Sequence, residues 1–512
     1  MIDREWREAA DMRPATVWLA VVLLTAAVLR VWRIGHGIPY AIGVDEPEIV
    51  GRVVTMMRTG DLNPRFFDYP GLVFYLHLPV AIARFLWGAV GQEFRSLADA
   101  GPEHFYLWSR AVTAAFGVAT VVLVHQIGMR WGARHALLAA GLMAVMPMHV
   151  RESHFVLTDV PMTFFVTLTF LWSLKAQEER RLGAFVVAGI AAGLSTGMKY
   201  TAGIVLLAPL IAAWTTFAAR PSRAACAGAS VAAAGLAFLV VAPYTLLDLP
   251  GFLNGFAHLV SYYAERPAGA EPGWVIYAKH LRLNLQWPAF LLMLSGIGLG
   301  LVRAVKGPGQ GRWALLVAVP VVYFWSIADR ALIYGRYLLP VVPFACLLAA
   351  IAVVSGVSLL RRFDIPRAAR TLLIVGLTVA AVLPPAWRAA SWVRDLGRPT
   401  TQEAAWIWID ANVPAGSRVV LERAALWLPG GRFQPEHVRW LVDRSLDDYR
   451  GAGVAFIVAS SESYGPIMAE PERDRRRHEA YVRFFRETRE VAVFTPGPDR
   501  AGPEFRIFAV NE

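Results

Sequence analysis

Long apolar segments, separated by short polar ones, dominate residues 1–388 of the chain. An α-helix needs about 20 predominantly apolar residues to cross a bilayer, and many of these segments approach that length. The pattern predicts a polytopic α-helical membrane protein with about eleven transmembrane helices. We expect these helices near residues 16–33, 108–128, 135–150, 160–176, 183–198, 201–219, 224–243, 284–302, 313–329, 337–358 and 371–388.

Basic residues cluster in every second loop between these segments. Because Lys and Arg are enriched in cytoplasmic loops, we place these loops and the N-terminus in the cytoplasm of a cell whose inner membrane holds the protein. The clusters are Arg130 with Arg134, Lys175 with Arg180 and Arg181, Arg220 with Arg223, Arg303 with Lys306 and Arg312, and Arg361, Arg362 and Arg367 with Arg370.

The apolar segment Leu72–Val90 is predicted to lie on the outer surface of the membrane as an interfacial helix. If it crossed the membrane, the loop Arg130–Arg134 and every later basic loop would move outside. The segment also carries His77, Pro79 and Arg84. One long outer loop is therefore expected from about residue 35 to residue 107.

The composition changes after the last apolar segment. Residues 389–512 are rich in charge, and short β-like runs alternate there with helical patterns, as in Val454–Ser460 and Arg473–Arg486. This alternation predicts a small α/β domain, which the topology places outside the cytoplasm. The expected organisation is a transmembrane domain of residues 1–388 followed by an extracytoplasmic domain of residues 389–512.

The composition indicates which kinds of molecule the protein binds. Of the 512 residues, 56% are hydrophobic, and the net charge is +11. In a soluble protein that charge would suggest nucleic acid, but here the basic residues lie mainly in short loops, where they face anionic lipid. We expect membrane lipids and no nucleic acid as partners. Cys226 and Cys346 both lie in apolar runs, so neither a disulfide framework nor a metal site is expected from them.

Three acids stand directly after the first apolar segment, in Val44-Asp-Glu-Pro-Glu48. A carboxylate at that place can act as a general base on a hydroxyl group, or it can bind a divalent cation together with its neighbours. The same residues also fit a helix N-terminus, with Asp45 as the N-cap and Glu48 at the capping-box position. The two interpretations are compatible.

The second outer loop holds four ionisable residues within ten positions: Arg151, Glu152, His154 and Asp159. Polar groups at membrane depth are energetically expensive and tend to be functional. The spacing of the acids and histidines in this loop matches no common metal-binding motif, so no metal site is expected there.

Cations also occur on the outer side, where the orientation rule disfavours them. Lys199 lies in a turn between two apolar helices, Arg110 opens the second span, and Arg330 and Arg336 precede the tenth. An arginine fork matches phosphate oxygens, so these residues are candidate phosphate ligands. For Lys199 the alternative is simple snorkelling to the interface.

These motifs, in this order, resemble the glycosyltransferase C superfamily, and within it the family 39-type branch of bacterial protein O-mannosyltransferases and aminoarabinose transferases. The matching elements are Asp45-Glu46, Phe67-Asp-Tyr-Pro-Gly-Leu72, Arg110, Thr158-Asp-Val-Pro161, Gly197-Met-Lys-Tyr200 and Arg336-Tyr-Leu-Leu-Pro340. The resemblance implies an inverting transferase whose donor is a sugar on a polyprenyl phosphate. The segment Tyr69-Pro-Gly71 has one proline where the family usually has two, and it lacks the basic residue that aminoarabinose transferases carry there, which disfavours an aminoarabinose donor.

The resemblance also implies roles for individual residues. Asp45 would be the general base, supported by Glu46, and Asp159 would be a second acid at the reacting centre. The donor phosphate would be held by Arg110, Lys199 and Arg336. The donor and acceptor pocket would be lined by Glu48, Arg151, His154, Tyr200 and Tyr337.

No cofactor is expected, although a divalent cation stays open. The acceptor is a lipid, a glycan or a protein; the sequence does not choose between them. Three other functions remain as alternatives: a metal-dependent transferase that uses a lipid-linked oligosaccharide, a secondary transporter, and a scaffold that has kept the fold without activity. The nearly charge-free spans disfavour a transporter, which would carry ionisable residues in mid-span.

Overall fold

The computed structural model describes residues 2–510 other than 40–42, 44, 265–270, 307–308, 329, 331, 360–365, 423–425, 427 and 429–431. The basic pair Arg361 and Arg362 lies outside the described residues. The chain forms two compact units, one of Met1–Ile34 with Glu48–Arg394 and one of Gly35–Pro47 with Asp395–Glu512.

The first unit is helical. Its α-helices are α1 (Ile2–Val31), α2 (Glu46–Thr59), α3 (Leu72–Val90), α4 (Tyr106–Gly128), α5 (Ala133–Ala144), α6 (Pro147–Glu152), α7 (Asp159–Glu179), α8 (Leu182–Met198), α9 (Leu207–Thr216), α10 (Arg220–Val241), α11 (Tyr244–Leu247), α12 (Leu249–Ala264), α13 (Gly273–Val305), α14 (Gln310–Ala328), α15 (Val342–Leu359) and α16 (Arg367–Asp395). Short 3-10 helices at Tyr200–Leu206 and Gly335–Val341 lead into α9 and α15.

Every predicted span corresponds to one helix or to two consecutive helices, so the predicted polytopic helical architecture is confirmed. Within the described residues, seven helices are long and apolar enough to cross a membrane. Helix α3 is one of these seven helices by its length and composition alone. Its position at the membrane interface stays a prediction from the charge pattern. The number of eleven spans likewise stays a prediction.

Close approach of small residues holds α8 against α10. A Cβ atom added at Gly189 or Gly193 would overlap the backbone carbonyl of Ser230 or Ala234, respectively. The Ser230 hydroxyl also donates to the Phe185 carbonyl across the helix pair, at 3.1 Å. Such contacts replace the hydrophobic driving force, which is absent between helices in lipid.

A buried arginine ties the end of α1 to the turn between α5 and α6. The Arg30 guanidinium donates to the carbonyls of Ala26, Ala144 and Met143 at 3.0, 2.8 and 3.2 Å. It also donates to Nδ1 of His149 at 3.0 Å, since arginine has no acceptor. Carbonyls at the C-terminal end of α5 offer the partial negative charge that a buried guanidinium needs. This network fixes α6.

The second unit contains a five-stranded mixed sheet in the order β2-β1-β3-β5-β4. The strands are β1 (Arg418–Glu422), β2 (Gln434–Val438), β3 (Val454–Ser460), β4 (Arg489–Phe494) and β5 (Phe505–Ala509), and the helices are α17 (Thr401–Asn412), α18 (Leu446–Gly451), α19 (Ser461–Ala469) and α20 (Arg475–Glu487). Strands β1, β2 and β3 run parallel, while β5 runs antiparallel to β3 and β4. Alternate residues of β1 enter opposite cores, with Val420 in one and Val419 and Leu421 in the other. The predicted α/β domain is thus confirmed.

A buried carboxyl group lies at the carboxyl end of β1. Glu422 accepts hydrogen bonds from the Leu441 and Ser460 backbone N–H groups at 3.0 and 3.1 Å, and from the Tyr481 hydroxyl. Burial raises the pKa of Glu422, although the Tyr481, Leu441 and Ser460 hydrogen bonds oppose that shift. The folded unit therefore holds the Glu422 proton more tightly than the unfolded chain does.

We expect this group's contribution to stability to be complete below its unfolded-state pKa and to be lost as pH rises through its folded-state pKa. Glu422→Gln should flatten this pH dependence. Glu422→Ala leaves three buried donors without an acceptor and should lower the free energy of unfolding by on the order of 3 kcal/mol. Limited proteolysis of the full chain between about pH 4 and pH 8, scored at sites in the second unit, measures both effects. If the stability of wild type and of Glu422→Gln depended on pH in the same way, the raised pKa of Glu422 would be contradicted.

Candidate active site

A buried ion pair lies at the start of α7. Asp159 is the first residue of that helix, where the helix dipole favours a carboxylate, and it is 2% exposed. Its Oδ1 atom lies 2.8 Å from Nζ of Lys199, and its Oδ2 atom lies 3.7 Å from Nε of Arg336. One carboxylate thus stands between two cations from distant parts of the sequence.

The two cationic residues lie in the connections between consecutive helices. Lys199 follows the last residue of α8 in an extended conformation, and its Nζ atom lies 4.1 Å from the ring centroid of Tyr337. Arg336 and Tyr337 belong to the 3-10 helix Gly335–Val341. We call Asp159, Lys199, Arg336 and Tyr337 the ion cluster.

The ion cluster carries two positive charges and one negative charge. The side chains of Lys199 and Arg336 are 14% and 22% exposed, in contrast to the buried Asp159. Excess positive charge in a partly desolvated place attracts an anion and stabilises negative charge that develops there. The cluster is therefore suited to bind a phosphate.

A cavity of about 260 Å³, here called the aromatic cavity, opens on one side of the ion cluster. Its lining combines apolar side chains of α12 and α14 with polar and charged side chains. The lining residues are Asp68, Tyr69, Lys199, Tyr200, Thr201, Phe256, Leu259, Val260, Ile327, Arg330 and Tyr337. Tyr200 and Phe256 meet edge to face, with ring centroids 5.4 Å apart. This arrangement suits a ligand with a charged head and an apolar tail.

A second cavity, of about 430 Å³ and here called the arginine cavity, borders the same cluster. It is formed by α6, α13, α16 and the segment before the 3-10 helix Gly335–Val341. Its lining residues are Pro147, Met148, Arg151, Glu152, His280, Leu283, Asn284, Ile333, Tyr334, Gly335, Arg336, Arg388 and Trp392. Arg336 lines this cavity, and the next residue, Tyr337, lines the aromatic cavity. The ion cluster therefore stands between the two cavities.

The first acidic motif lies at the beginning of α2. The helix begins at Glu46, which leaves Asp45 at the N-cap position. Glu46 is fully buried, and its Oε2 atom accepts a hydrogen bond from the Gly43 N–H at 2.6 Å. Both residues belong to the segment that groups with the second unit. Their predicted catalytic roles stay predictions.

Glu48 forms an exposed ion pair with Arg52 at 2.9 Å, one turn further along the same helix. The linings described above for the two cavities do not include Glu48. A place for Glu48 in the donor or acceptor pocket therefore remains a prediction from the sequence alone.

Two other predicted residues lie near the end of α1. Arg110 is fully buried, and its Nη1 atom donates to the Ile34 carbonyl at 2.9 Å. His154 lies between the carbonyls of Val150 and Trp32, at 2.9 and 3.2 Å from its two ring nitrogens. Neither residue is among the described lining of the two cavities. Of the predicted set, the structure brings together Asp159, Lys199, Arg336, Tyr200 and Tyr337, and it places Arg151 in the adjacent cavity.

Asp68, Arg388 and Trp392 are among the lining residues that the sequence analysis missed. Asp68 lies within a motif that we compared only as a whole, and burial raises the pKa of its carboxyl group while His258 and Arg52 oppose the shift. Arg388 and Trp392 lie near the end of α16. Arg388 is a cation on the predicted outer side, which is the same signal that selected Arg330 and Arg336.

Among the residues that the structure describes, no group of three or more His, Cys, Asp or Glu side chains is placed to hold a metal ion.

Known proteins resemble this chain in sequence over part of its length and in fold over almost all of it. The family model of dolichyl-phosphate-mannose-protein mannosyltransferase matches residues 78–261. None of the curated proteins matches the sequence. The structure of ArnT from Cupriavidus metallidurans bound to undecaprenyl phosphate is similar, with a TM-score of 0.60, 15% identity and coverage of 97% of each chain.

A second similar structure is the archaeal oligosaccharyltransferase AglB from Archaeoglobus fulgidus in complex with an inhibitory peptide and a dolichol-phosphate. It has a TM-score of 0.59 and 14% identity, and the match covers 88% of this chain and 70% of AglB. The fold shared with ArnT and AglB and the family match over residues 78–261 agree with the resemblance inferred from the sequence: this chain has the multi-pass membrane fold of the glycosyltransferase C superfamily and is similar to its glycosyltransferases.

Proposed function

We propose that this protein transfers a sugar from a polyprenyl-phosphate donor to an acceptor on the outer face of the cytoplasmic membrane, with inversion at the anomeric carbon. The observation that carries the proposal is the ion cluster beside the aromatic cavity, which Lys199 and Tyr337 of that cluster line together with apolar side chains. A polyprenyl-phosphate sugar has the matching shape, with an apolar tail and a phosphate head. In this proposal the N-terminus is cytoplasmic and the C-terminal domain is extracytoplasmic.

In the proposed complex, the polyprenyl chain lies against Phe256, Leu259 and Val260, and the phosphate lies between Lys199 and Arg336. The phosphate then shares with Asp159 the two cations that Asp159 contacts in the structure. The ArnT structure is bound to undecaprenyl phosphate and the AglB structure to a dolichol-phosphate, which supports a donor of this class.

The proposed reaction is a single displacement. The acceptor hydroxyl oxygen forms a bond to the anomeric carbon while the bond from that carbon to the phosphate oxygen breaks, and the electron pair stays on the phosphate. Asp45 takes the hydroxyl proton as general base, supported by Glu46. Lys199 and Arg336 stabilise the negative charge that develops on the departing polyprenyl phosphate. Asp159 holds the Lys199 ammonium in place through their 2.8 Å contact.

Positive charge in the site comes from the protein itself in this mechanism, so we propose that the reaction needs no divalent cation. Chelator is expected to leave the reaction unchanged. A reaction that stopped in chelator and recovered with added cation would favour the metal-dependent transferase instead.

The test is donor consumption by the purified full chain in detergent, with a panel of polyprenyl-phosphate sugars. We expect release of polyprenyl phosphate from at least one donor, with and without chelator. If the protein neither bound nor consumed any donor of the panel, the proposal would be overturned and the transporter and scaffold functions would gain support.

A further inference from the structure

The arginine cavity has a charge that the transfer of a sugar between neutral groups does not require. Among the residues that the structure describes, three guanidinium groups line it, from Arg151, Arg336 and Arg388, together with one carboxylate, that of Glu152. Because Arg336 also belongs to the ion cluster, Arg151 and Arg388 are the cations specific to this cavity. They project from α6 and α16, two helices that lie far apart in the sequence.

The walls of this cavity are held by hydrogen bonds within the first unit. The Arg388 Nη1 atom donates to the Leu283 carbonyl of α13 at 3.0 Å. The Asn284 side chain accepts from the Met148 N–H at 2.8 Å, which joins α13 to the start of α6. Since Arg30 holds the same turn from α1, the backbone that carries Arg151 is fixed, while the Arg151 side chain is 61% exposed and lies 3.5 Å from the Glu152 carboxylate.

An aromatic surface accompanies these cations. Trp392 and Tyr334 both line the cavity, and the indole of Trp392 packs on the buried ring of His154, with centroids 5.0 Å apart. An indole held in this way offers a rigid apolar face beside hydrogen-bonding groups. Sugar rings bind to such a face through their C–H surface, while arginine forks bind phosphate or carboxylate oxygens.

We propose that the arginine cavity is the acceptor site and that the acceptor is an anionic glycan, that is, a saccharide that carries a phosphate or a carboxylate. Arg151 and Arg388 bind the anionic group, and the sugar ring lies against Trp392. The anion serves recognition, and a hydroxyl group of the same saccharide is the nucleophile. This inference rests on the proposed function, because it takes the donor to occupy the aromatic cavity on the other side of the ion cluster.

Direct binding to the purified full chain tests the proposal without any donor. Ligand-observed NMR would compare a neutral methyl glycoside, its 6-phosphate, the matching uronic acid and inorganic phosphate. We expect the phosphorylated or the carboxylated saccharide to bind about tenfold or more tightly than the neutral one. Arg151→Gln and Arg388→Gln should each remove most of that preference, and Trp392→Ala should weaken the saccharides more than inorganic phosphate.

Arg282→Gln is the matched control, because Arg282 precedes the lining residue Leu283 on α13 but lies 4.9 Å from the Trp287 ring instead of lining the cavity. It should bind all four ligands as wild type does. Equal binding of neutral and anionic saccharides, or a preference that survives both arginine substitutions, would overturn the inference. Inorganic phosphate that bound as tightly as the saccharides would overturn the glycan part.

The outcome separates this inference from the proposed function. A chain that discriminates anionic saccharides but consumes no polyprenyl-phosphate donor would overturn the proposed function and support the arginine cavity as an anionic-glycan site. A chain that consumes donor but does not discriminate between the saccharides would do the reverse.

Discussion

Lys199→Met is expected to lower kcat/KM for the polyprenyl-phosphate donor by a factor on the order of 100 to 1,000. Lys199 supplies one of the two cations of the ion cluster and lines the aromatic cavity, and methionine keeps the length of its side chain while removing the charge. Its loss removes a charge-assisted hydrogen bond to the phosphate, in both the bound donor and the departing group. The measurement is donor consumption over a range of donor concentrations.

A second effect of this substitution must be separated from the first. Without Lys199, the carboxylate of Asp159 is buried beside Arg336 alone, which destabilises the fold. The double variant Asp159→Asn/Lys199→Met removes both charges and should recover thermal stability without recovering activity. Lys175→Met, on the same helix as Asp159 but beside Trp172, is the control and should behave as wild type. Normal donor turnover by a stable Lys199→Met protein would exclude Lys199 as a phosphate ligand.

Asp45→Asn is expected to lower kcat by a factor on the order of 100 to 10,000, with little change in the KM for the donor. Asparagine has nearly the same shape as aspartate but cannot accept a proton at neutral pH. The measurement is single-turnover transfer to acceptor, with donor binding measured in parallel.

The choice of asparagine separates catalysis from helix capping. Asp45 occupies the N-cap position of α2, and asparagine caps a helix about as well as aspartate. A cap role therefore predicts full activity for Asp45→Asn and a loss of stability only for Asp45→Ala. Asp61→Asn is the control, since Asp61 lies in the same predicted outer loop and pairs with Arg65. Activity at the wild-type level in Asp45→Asn would leave Asp45 as a cap.

The helices were predictable because their apolar runs are long. The predicted and observed helix boundaries differ where a proline or a group of charged residues occurs within or beside such a run. The segment 135–150 was predicted as one span, but α5 ends at Ala144 and α6 begins at Pro147, since proline favours the first turn of a new helix. Helix α13 begins at Gly273, but its backbone leaves the helical conformation at Gln286 (φ 60°, ψ 164°), so the span predicted from residue 284 corresponds to the second of its two helical segments. Its first turns carry Lys279, His280 and Arg282, which a search for apolar residues passes over.

The charged residues of the ion cluster could be predicted from the sequence, but the contacts between them could not. Asp159, Lys199 and Arg336 were selected because each is a charge in an apolar neighbourhood. Their contacts depend on how α7, α8 and the 3-10 helix Gly335–Val341 pack, and no local pattern encodes that packing. Trp392 could not be found from sequence, because a tryptophan at the end of a membrane helix is ordinarily an interfacial anchor. Only its position opposite α6 gives it a place in a cavity.

The most direct measurement is photocrosslinking of a polyprenyl phosphate that carries a diazirine on the isoprene unit next to the phosphate. If the donor occupies the aromatic cavity, the label should attach to the residues of that cavity, above all to Phe256, Leu259 and Val260 on α12. Excess unlabelled donor should remove the label, and Lys199→Met should reduce it. Labelling confined to other helices, unaffected by donor or by Lys199→Met, would contradict the assignment of this cavity to the donor.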